Sequence, residues 1–434
     1  MSRCMRMWVG LLVLLPGLSS AQTGPFEYPV NGQSIDFEGS YLVRAAPISG
    51  ASGYLIGMFQ NGVLKYENYR DAGSLSRDVG LHRGNPHRVR LLPNIPTTLT
   101  VRGLVNGQWT AMYQITIDLK PRKAPVKVLE LKYFPLDANG NLDSVETRVT
   151  ATLSQIRTKV SQLSSGLEQG MELASTYVKQ QGIGGYLDYQ KVASFEYLEA
   201  VPRSTQFPPF ANHFTMLNRV NICNYVDNLG VRDVWIWMYH TDVVAPNESN
   251  MSMGRVSSSW FNHGTYGDIS NSYQQNDLPV CNNTYVVYNF SYERQVAEAI
   301  HNYGHQQERL LNYADSTLFS QWVNPYGSGV GSTRACGNVH NPPNSTSDYN
   351  YANTTLVTSR CSDWRPDGTG ATESVSCSKW TCTGDSQKAF LTWWFQRIPG
   401  RGTTLVRNGV RLRNWNEFLA DFDKAIRDGR RLTE

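Results

Sequence analysis

The sequence predicts an α+β or α/β C-terminal domain preceded by an all-β sandwich module. Three observations carry this reading. Residues 25–120 alternate in short runs separated by Asn-Gly turns. Val231–Tyr239 is a nearly unbroken apolar and aromatic run. Helical periodicity recurs only beyond residue 140. At 434 residues the chain is long enough for two or three domains of roughly 100–200 residues, each with a core of its own.

The elements follow in order. Residues 1–21 read as a secretory signal peptide, which implies a secreted, extracellular or periplasmic address. Arg3 and Arg6 form a short basic start, and Trp8–Leu15 is an apolar run too short to span a bilayer. Ser19-Ser20-Ala21 sets small residues at the cleavage positions before Gln22. An uncleaved anchor is the competing reading. The chain holds 40 Lys+Arg and 36 Asp+Glu, a net charge of +4, and loss of Arg3 and Arg6 with the leader leaves +2. So small a surplus excludes a strongly basic nucleic-acid binder. With 18% charged and 11% aromatic residues the chain is not disordered. No later run approaches the roughly 18 apolar residues of a membrane span.

Residues 22–120 carry strand signals such as Tyr41–Arg44 and Thr98–Arg102, with turns at Asn31-Gly32, Asn61-Gly62 and Asn106-Gly107. The stretch Ile48-Ser-Gly-Ala-Ser-Gly-Tyr-Leu-Ile-Gly, the late Trp109 and the closing strand Tyr113–Leu119 resemble a fibronectin type III or immunoglobulin-like module. The resemblance implies a spacer or accessory binder, and no chemistry is placed there. Residues 121–125, at Lys120-Pro-Arg-Lys-Ala-Pro125, form the linker to the domain at 126–434.

Val126–Phe134 reads as a strand. Asp143–Tyr177 reads as one long helix, with Val145, Val149, Leu153, Ile156, Val160, Leu163 and Leu167 at steps of three and four, Asp143 and Glu146 as a capping pair, and Ser164-Ser165-Gly166 as a possible break. Val231–Tyr239 fits a central strand buried on both faces. Phe290–Leu311 reads as a second long helix, Phe390–Phe395 as an apolar aromatic segment, and Trp415–Ile426 as a final amphipathic helix. The stretches 241–284 and 324–386 are long, polar loops, and loops of that length in a compact domain are usually functional. Removing Cys4 leaves Cys223, Cys281, Cys336, Cys361, Cys377 and Cys382, an even count that predicts three disulfides in an exported chain. Only the local staple Cys377–Cys382 is favoured by spacing.

Three groups of residues carry candidate chemistry. On the segment 298–308, with Glu298 at zero, His301, His305 and Glu308 fall at about 300°, 340° and 280°, one stripe of a helix. Two His at i and i+4 present two imidazoles to one metal, and Glu308 is a possible third ligand of an open Zn²⁺ site. The common H-E-x-x-H motif has a Glu where this chain has Asn302, so that family's mechanism does not transfer, and Glu298 or another carboxylate must serve as base. The competing reading is an ordinary polar helix face opposite Val296, Ile300, Tyr303, Leu310 and Leu311. Gly304 between the histidines costs roughly 1 kcal/mol of helix stability relative to Ala and implies close approach by another backbone or a ligand. The second group is His240 and Asp242, just past the 231–239 strand, with Glu248 in the following loop; ligands of open α/β sheets bind beyond strand carboxyl ends. The third is the Pro-held loop from Cys336 to Trp364, which offers His340 as a further metal ligand and Asp348 beside it.

The segments VDNLGVRDVWIW, NFSYERQVAEAIHNYGHQQE, CGNVHNPPN with SDYNYAN, and WWFQRIPG with LRNWNEF resemble a class of secreted bacterial and fungal proteins over most of residues 220–420. The resemblance implies an extracellular address and assigns no chemistry. Within it His305 and Glu308 are the steadier pair and His301 the more variable, which weighs against a two-histidine zinc site.

The leading expectation is a secreted, zinc-dependent hydrolase of an extracellular peptide or glycan polymer. His301, His305 and Glu308 or His340 would be ligands, and Glu298, Glu308, Glu248, Asp242 and His240 the catalytic candidates. The alternatives are a metal-free glycan hydrolase using paired carboxylates, Glu308 with Glu248 or Asp242, and a non-catalytic carbohydrate or matrix binder using the nine Trp between 235 and 415. No phosphate-binding loop, GxSxG elbow or dinucleotide fingerprint is present.

Overall fold

The computed structural model describes residues 24–434 except 25, 37–40, 73–81, 85–90, 92–93, 122, 256–268, 273, 275, 327–332 and 428–430. The signal-peptide expectation at residues 1–21 lies outside the described residues. The chain divides into two compact units, Met1–Arg122 and Lys123–Glu434.

In the first unit the strands are β1 (Phe26–Tyr28), β2 (Ser34–Asp36), β3 (Tyr41–Ala45), β4 (Ala51–Gln60), β5 (Val63–Asp71), β6 (His82–Gly84), β7 (Pro96–Val105), β8 (Gln108–Trp109) and β9 (Tyr113–Lys120). One sheet runs β2-β9-β7-β4-β5 with β8 on β7, and a second runs β1-β3-β6. Phe26 and Ala45 of the smaller sheet pack on Tyr54, Ile56 and Val101 of the larger. Asn61-Gly62 and Asn106-Gly107 both take positive φ, the two-residue turn that matches strand twist, and they join β4 to β5 and β7 to β8.

The second unit is a mixed sheet with helices. Its strands β10 (Ala124–Tyr133), β11 (Leu187–Tyr197), β12 (Val231–Met238), β13 (Ser249–Ser252) and β14 (Tyr285–Ser291) lie in the order β11-β10-β12-β14-β13. Four of them are parallel, and β13 closes one edge antiparallel to β14. Strand order reverses between β10 and β12, so their carboxyl ends open a crevice of the kind that binds ligands in such sheets. Nearly every side chain of β12 and β14 is buried, which explains their continuous apolar sequence.

Several expected boundaries are corrected. The 143–177 helix is two: α1 (Ser144–Thr147) and α2 (Leu153–Ala174). The chain leaves α1 at Arg148, whose φ is 61°, and re-enters through a Thr152/Gln155 capping box. Asp143 does cap α1, but Glu146 turns away to Arg203 and Tyr239. Ser164-Ser165-Gly166 does not break α2: a Cβ on Gly166 or Gly170 would lie within 3 Å of Val296 or Ile300, so these glycines let a neighbouring helix settle close.

The α3 (His213–Arg219) and α4 (Ile222–Asn228) helices precede β12. Phe290 and Ser291 belong to β14, and the next helix, α5, spans Val296–Ala314, followed by α6 (Ser316–Val323). Phe390–Phe395 lies in α7 (Ser386–Phe395). The final helix is split at Asp421 into Glu417–Ala420 and Phe422–Arg427, because Asp421 takes an extended conformation. Three disulfides join Cys223–Cys281, Cys336–Cys361 and Cys377–Cys382. Among the described residues no helix is long and apolar enough to cross a membrane.

Candidate metal centre

Helix α5 follows β14 and carries His301 and His305 on successive turns, with their rings 4.5 Å apart and nearly perpendicular. Its polar stripe is not a solvated face. His301 is 2% exposed, and Asn302, Gln306 and Gln307 are buried with their amides donating to the carbonyls of Asn289, Ile269 and Trp415. The amide nitrogens are thus satisfied, while the side-chain oxygens of Gln306 and Gln307 are buried with no partner among the described residues.

The loop after α6 lies over this stripe. Cys336–Cys361 anchors its start, and Cys336 and Gly337 donate to the carbonyls of Trp322 and Val323 at the end of α6. Gly337 turns at a φ of 73°, where a Cβ would strike the Asn341 carbonyl. The Asn338 side chain then accepts from the backbone of His340 and Asn341. The result is a rigid turn that presents His340 to α5. Its ring lies 5.0 Å from that of His301 and 4.8 Å from that of His305. Ligand atoms of the three imidazoles fall within 4.8 Å of one another.

Gly304 faces this loop. A Cβ there would come within 2.6 Å of the Val339 side chain, so the close neighbour is a side chain next to His340 rather than the backbone or ligand expected from sequence. Gly304→Ala should gain about 1 kcal/mol of helix propensity and lose about 1–3 kcal/mol to overpacking. The expected outcome is little change in melting temperature but weaker metal retention, because the loop must shift. Titration with a chelator checks it, and retention equal to wild type would count against this packing argument.

Glu308 sits behind His305. Its carboxylate lies 3.1 Å from His305 Nδ1 and also accepts the Val339 N–H at 2.8 Å. A carboxylate on Nδ1 holds the proton there and leaves Nε2 with a free lone pair, the arrangement common behind metal-bound histidines. That Nε2 lies 3.0 Å from His340 Nε2, against about 3.3 Å for two imidazole nitrogens on a tetrahedral zinc. Glu248 Oε2 lies 3.6 Å from the same Nε2. Glu248 is held by Asn271, which donates to its carboxylate, and by Ser272, which accepts its N–H. Glu248 reaches the site because Asn289 on β14 donates to its carbonyl, at the sheet end from which α5 departs.

The electrostatics favour a cation. Burial, then the neighbouring imidazoles of His305 and His340, push His301 down to about 2. Burial, then His305, also lowers His340. The three imidazoles face one another beside the carboxylates of Glu248, Glu308 and Asp348, the last 3.9 Å from His340 Nδ1.

The other sequence candidates stand apart. Glu298 pairs with Arg294 at 3.3 Å, and Asp242 is exposed. His240 has both ring nitrogens buried without a partner among the described residues, and burial pushes it down to about 4. Three residues at the centre were not foreseen. Asn271 holds Glu248, the Gln387 amide lies 3.4 Å from His301 Nδ1, and the Tyr349 hydroxyl lies 3.1 Å from His340 Nε2. They come from loops and from α7, where no periodicity marks them. Cys223, Asp227 and Cys281 also cluster, but the two cysteines are joined as a disulfide and offer no thiolate. No protein-family model, curated protein or solved structure matches this chain.

Proposed function

We propose that this chain is a secreted, zinc-dependent hydrolase acting on an extracellular peptide or glycan polymer. The observation that carries the reading is the convergence of His301, His305 and His340, with Glu308 on the outer nitrogen of His305 and Glu248 on its inner side. Three imidazoles suit Zn²⁺ and would leave a position for water or substrate. Zinc in such a site lowers the pKa of bound water to about 7 and polarises a carbonyl. His301, His305 and His340 would hold the ion, Glu308 would orient His305, and Glu248 would serve as the general base beside it. Three disulfides fit an oxidising compartment, and the resemblance of residues 220–420 to secreted proteins supports the same address. The first unit, read as a fibronectin type III or immunoglobulin-like sandwich, serves as a spacer or accessory binder.

The test is metal content of the purified protein by plasma mass spectrometry, beside His305→Ala. About one equivalent of zinc per chain is expected, and its loss in the variant. No metal in either protein, with both folded, sinks the reading and moves attention to Glu308 and Glu248 as a carboxylate pair acting on glycans.

A further inference from the structure

We propose that Tyr349 is the fourth protein ligand of this centre, binding the metal through its phenolate oxygen and yielding its place when substrate enters. The inference rests on the metal reading above. It starts from where the hydroxyl lies. Tyr349 Oη is 3.1 Å from His340 Nε2, the same nitrogen that lies 3.0 Å from His305 Nε2, so the oxygen stands beside a donor atom of the cluster.

The ring completes the enclosure. It lies 4.5 Å from the His340 ring and stacks 5.9 Å from the ring of His301. The side chain covers the cluster while remaining 55% exposed, so it can swing out without disturbing the core. The backbone is committed to this placement. Tyr349 has a φ of 62°, a conformation that bulky residues rarely adopt and that Gly or Asn would take at less cost. It is fixed on both sides, since Tyr349 N–H donates to the His340 carbonyl and its own carbonyl accepts from Tyr351, both at 2.9 Å. The strain therefore holds the phenol over the imidazoles.

Coordination replaces the O–H bond of the phenol with an oxygen–metal bond and releases one proton to solvent, which the exposed ring edge allows. A tyrosine that only stacks on His340 would make no such bond. The distinction is spectroscopic, because a phenolate bound to Cu²⁺ absorbs in the visible by charge transfer and a stacked phenol does not.

The experiment uses the full mature chain, stripped with a chelator and reloaded with Cu²⁺ alone. The wild type should take up copper and show the charge-transfer band. Tyr349→Phe should keep the copper and lose the band. Copper bound without a band in wild type, or a band that survives in Tyr349→Phe, overturns the assignment and leaves the three-histidine site standing. Failure of both proteins to bind copper or zinc removes the metal reading itself and this inference with it.

Discussion

Glu248→Gln is expected to lower turnover by about 10²–10⁴-fold, the usual contribution of a positioned general base, while leaving the metal content unchanged. The argument is one of position. Glu248 Oε2 stands 3.6 Å from His305 Nε2, beside the three-imidazole cluster and outside it. Gln keeps the shape and the contact with Asn271 but cannot take a proton. Turnover would be measured on whichever polymer the loaded enzyme cleaves, with metal analysis on the same samples. Wild-type turnover removes Glu248 from the mechanism. Loss of metal in the variant would make Glu248 a ligand rather than a base.

A comparably large effect is expected away from the centre, on stability. Asp233 lies on β12 at 2% exposure, where burial pushes its carboxyl up to about 7. Tyr303 donates to it, and Trp235 donates in turn to the Tyr303 hydroxyl at 2.7 Å. The folded state therefore resists ionisation that the unfolded chain undergoes near the ordinary value of 3.8. Between these values the folded state holds more protons than the unfolded one, so stability falls as pH rises from about 4 to about 7, and the loss is complete above that. The gap corresponds to at most about 4 kcal/mol. Asp233→Asn keeps an acceptor for Tyr303 and removes the charge. Its melting temperature should exceed that of wild type at pH 8, with the gap narrowing as pH falls and closing only near pH 4. An offset that is the same at every pH would show that Asp233 is not the titrating group. Because Tyr303 stands between His301 and His305 on α5, this buried network also fixes the helix that carries those two histidines.

Much of the site was legible before the fold was known, and the reason differs by residue. His301 and His305 declare themselves because helical spacing is a local property that tertiary contacts do not rewrite. The same spacing could not say that the polar stripe is buried, since the loop that covers it begins at residue 336 and is placed by a disulfide and by backbone bonds to α6. Glu308 was read as a ligand because it shares the stripe. Its contact with Val339 N–H, a non-local bond, sets it behind His305 instead. Strand β14 went unrecognised because Asn289 and Ser291 interrupt its apolar run, yet both are buried and satisfied only in three dimensions. The break after α1 lay hidden in a continuous apolar rhythm and rests on the single left-handed residue Arg148. Tyr349 and Asn271 carry no local signature, because each is brought to the centre by the path of a loop.

The bond between Cys336 and Cys361 is one of several ties on the turn that presents His340, while His301 and His305 are held by α5. Without it the turn keeps the Cys336 and Gly337 bonds to α6, the Val339 bond to Glu308 and the Trp394 bond to Gly337. Reduction should therefore loosen the third imidazole by degrees rather than release it: the crosslink limits how far the turn can wander when those weaker bonds open.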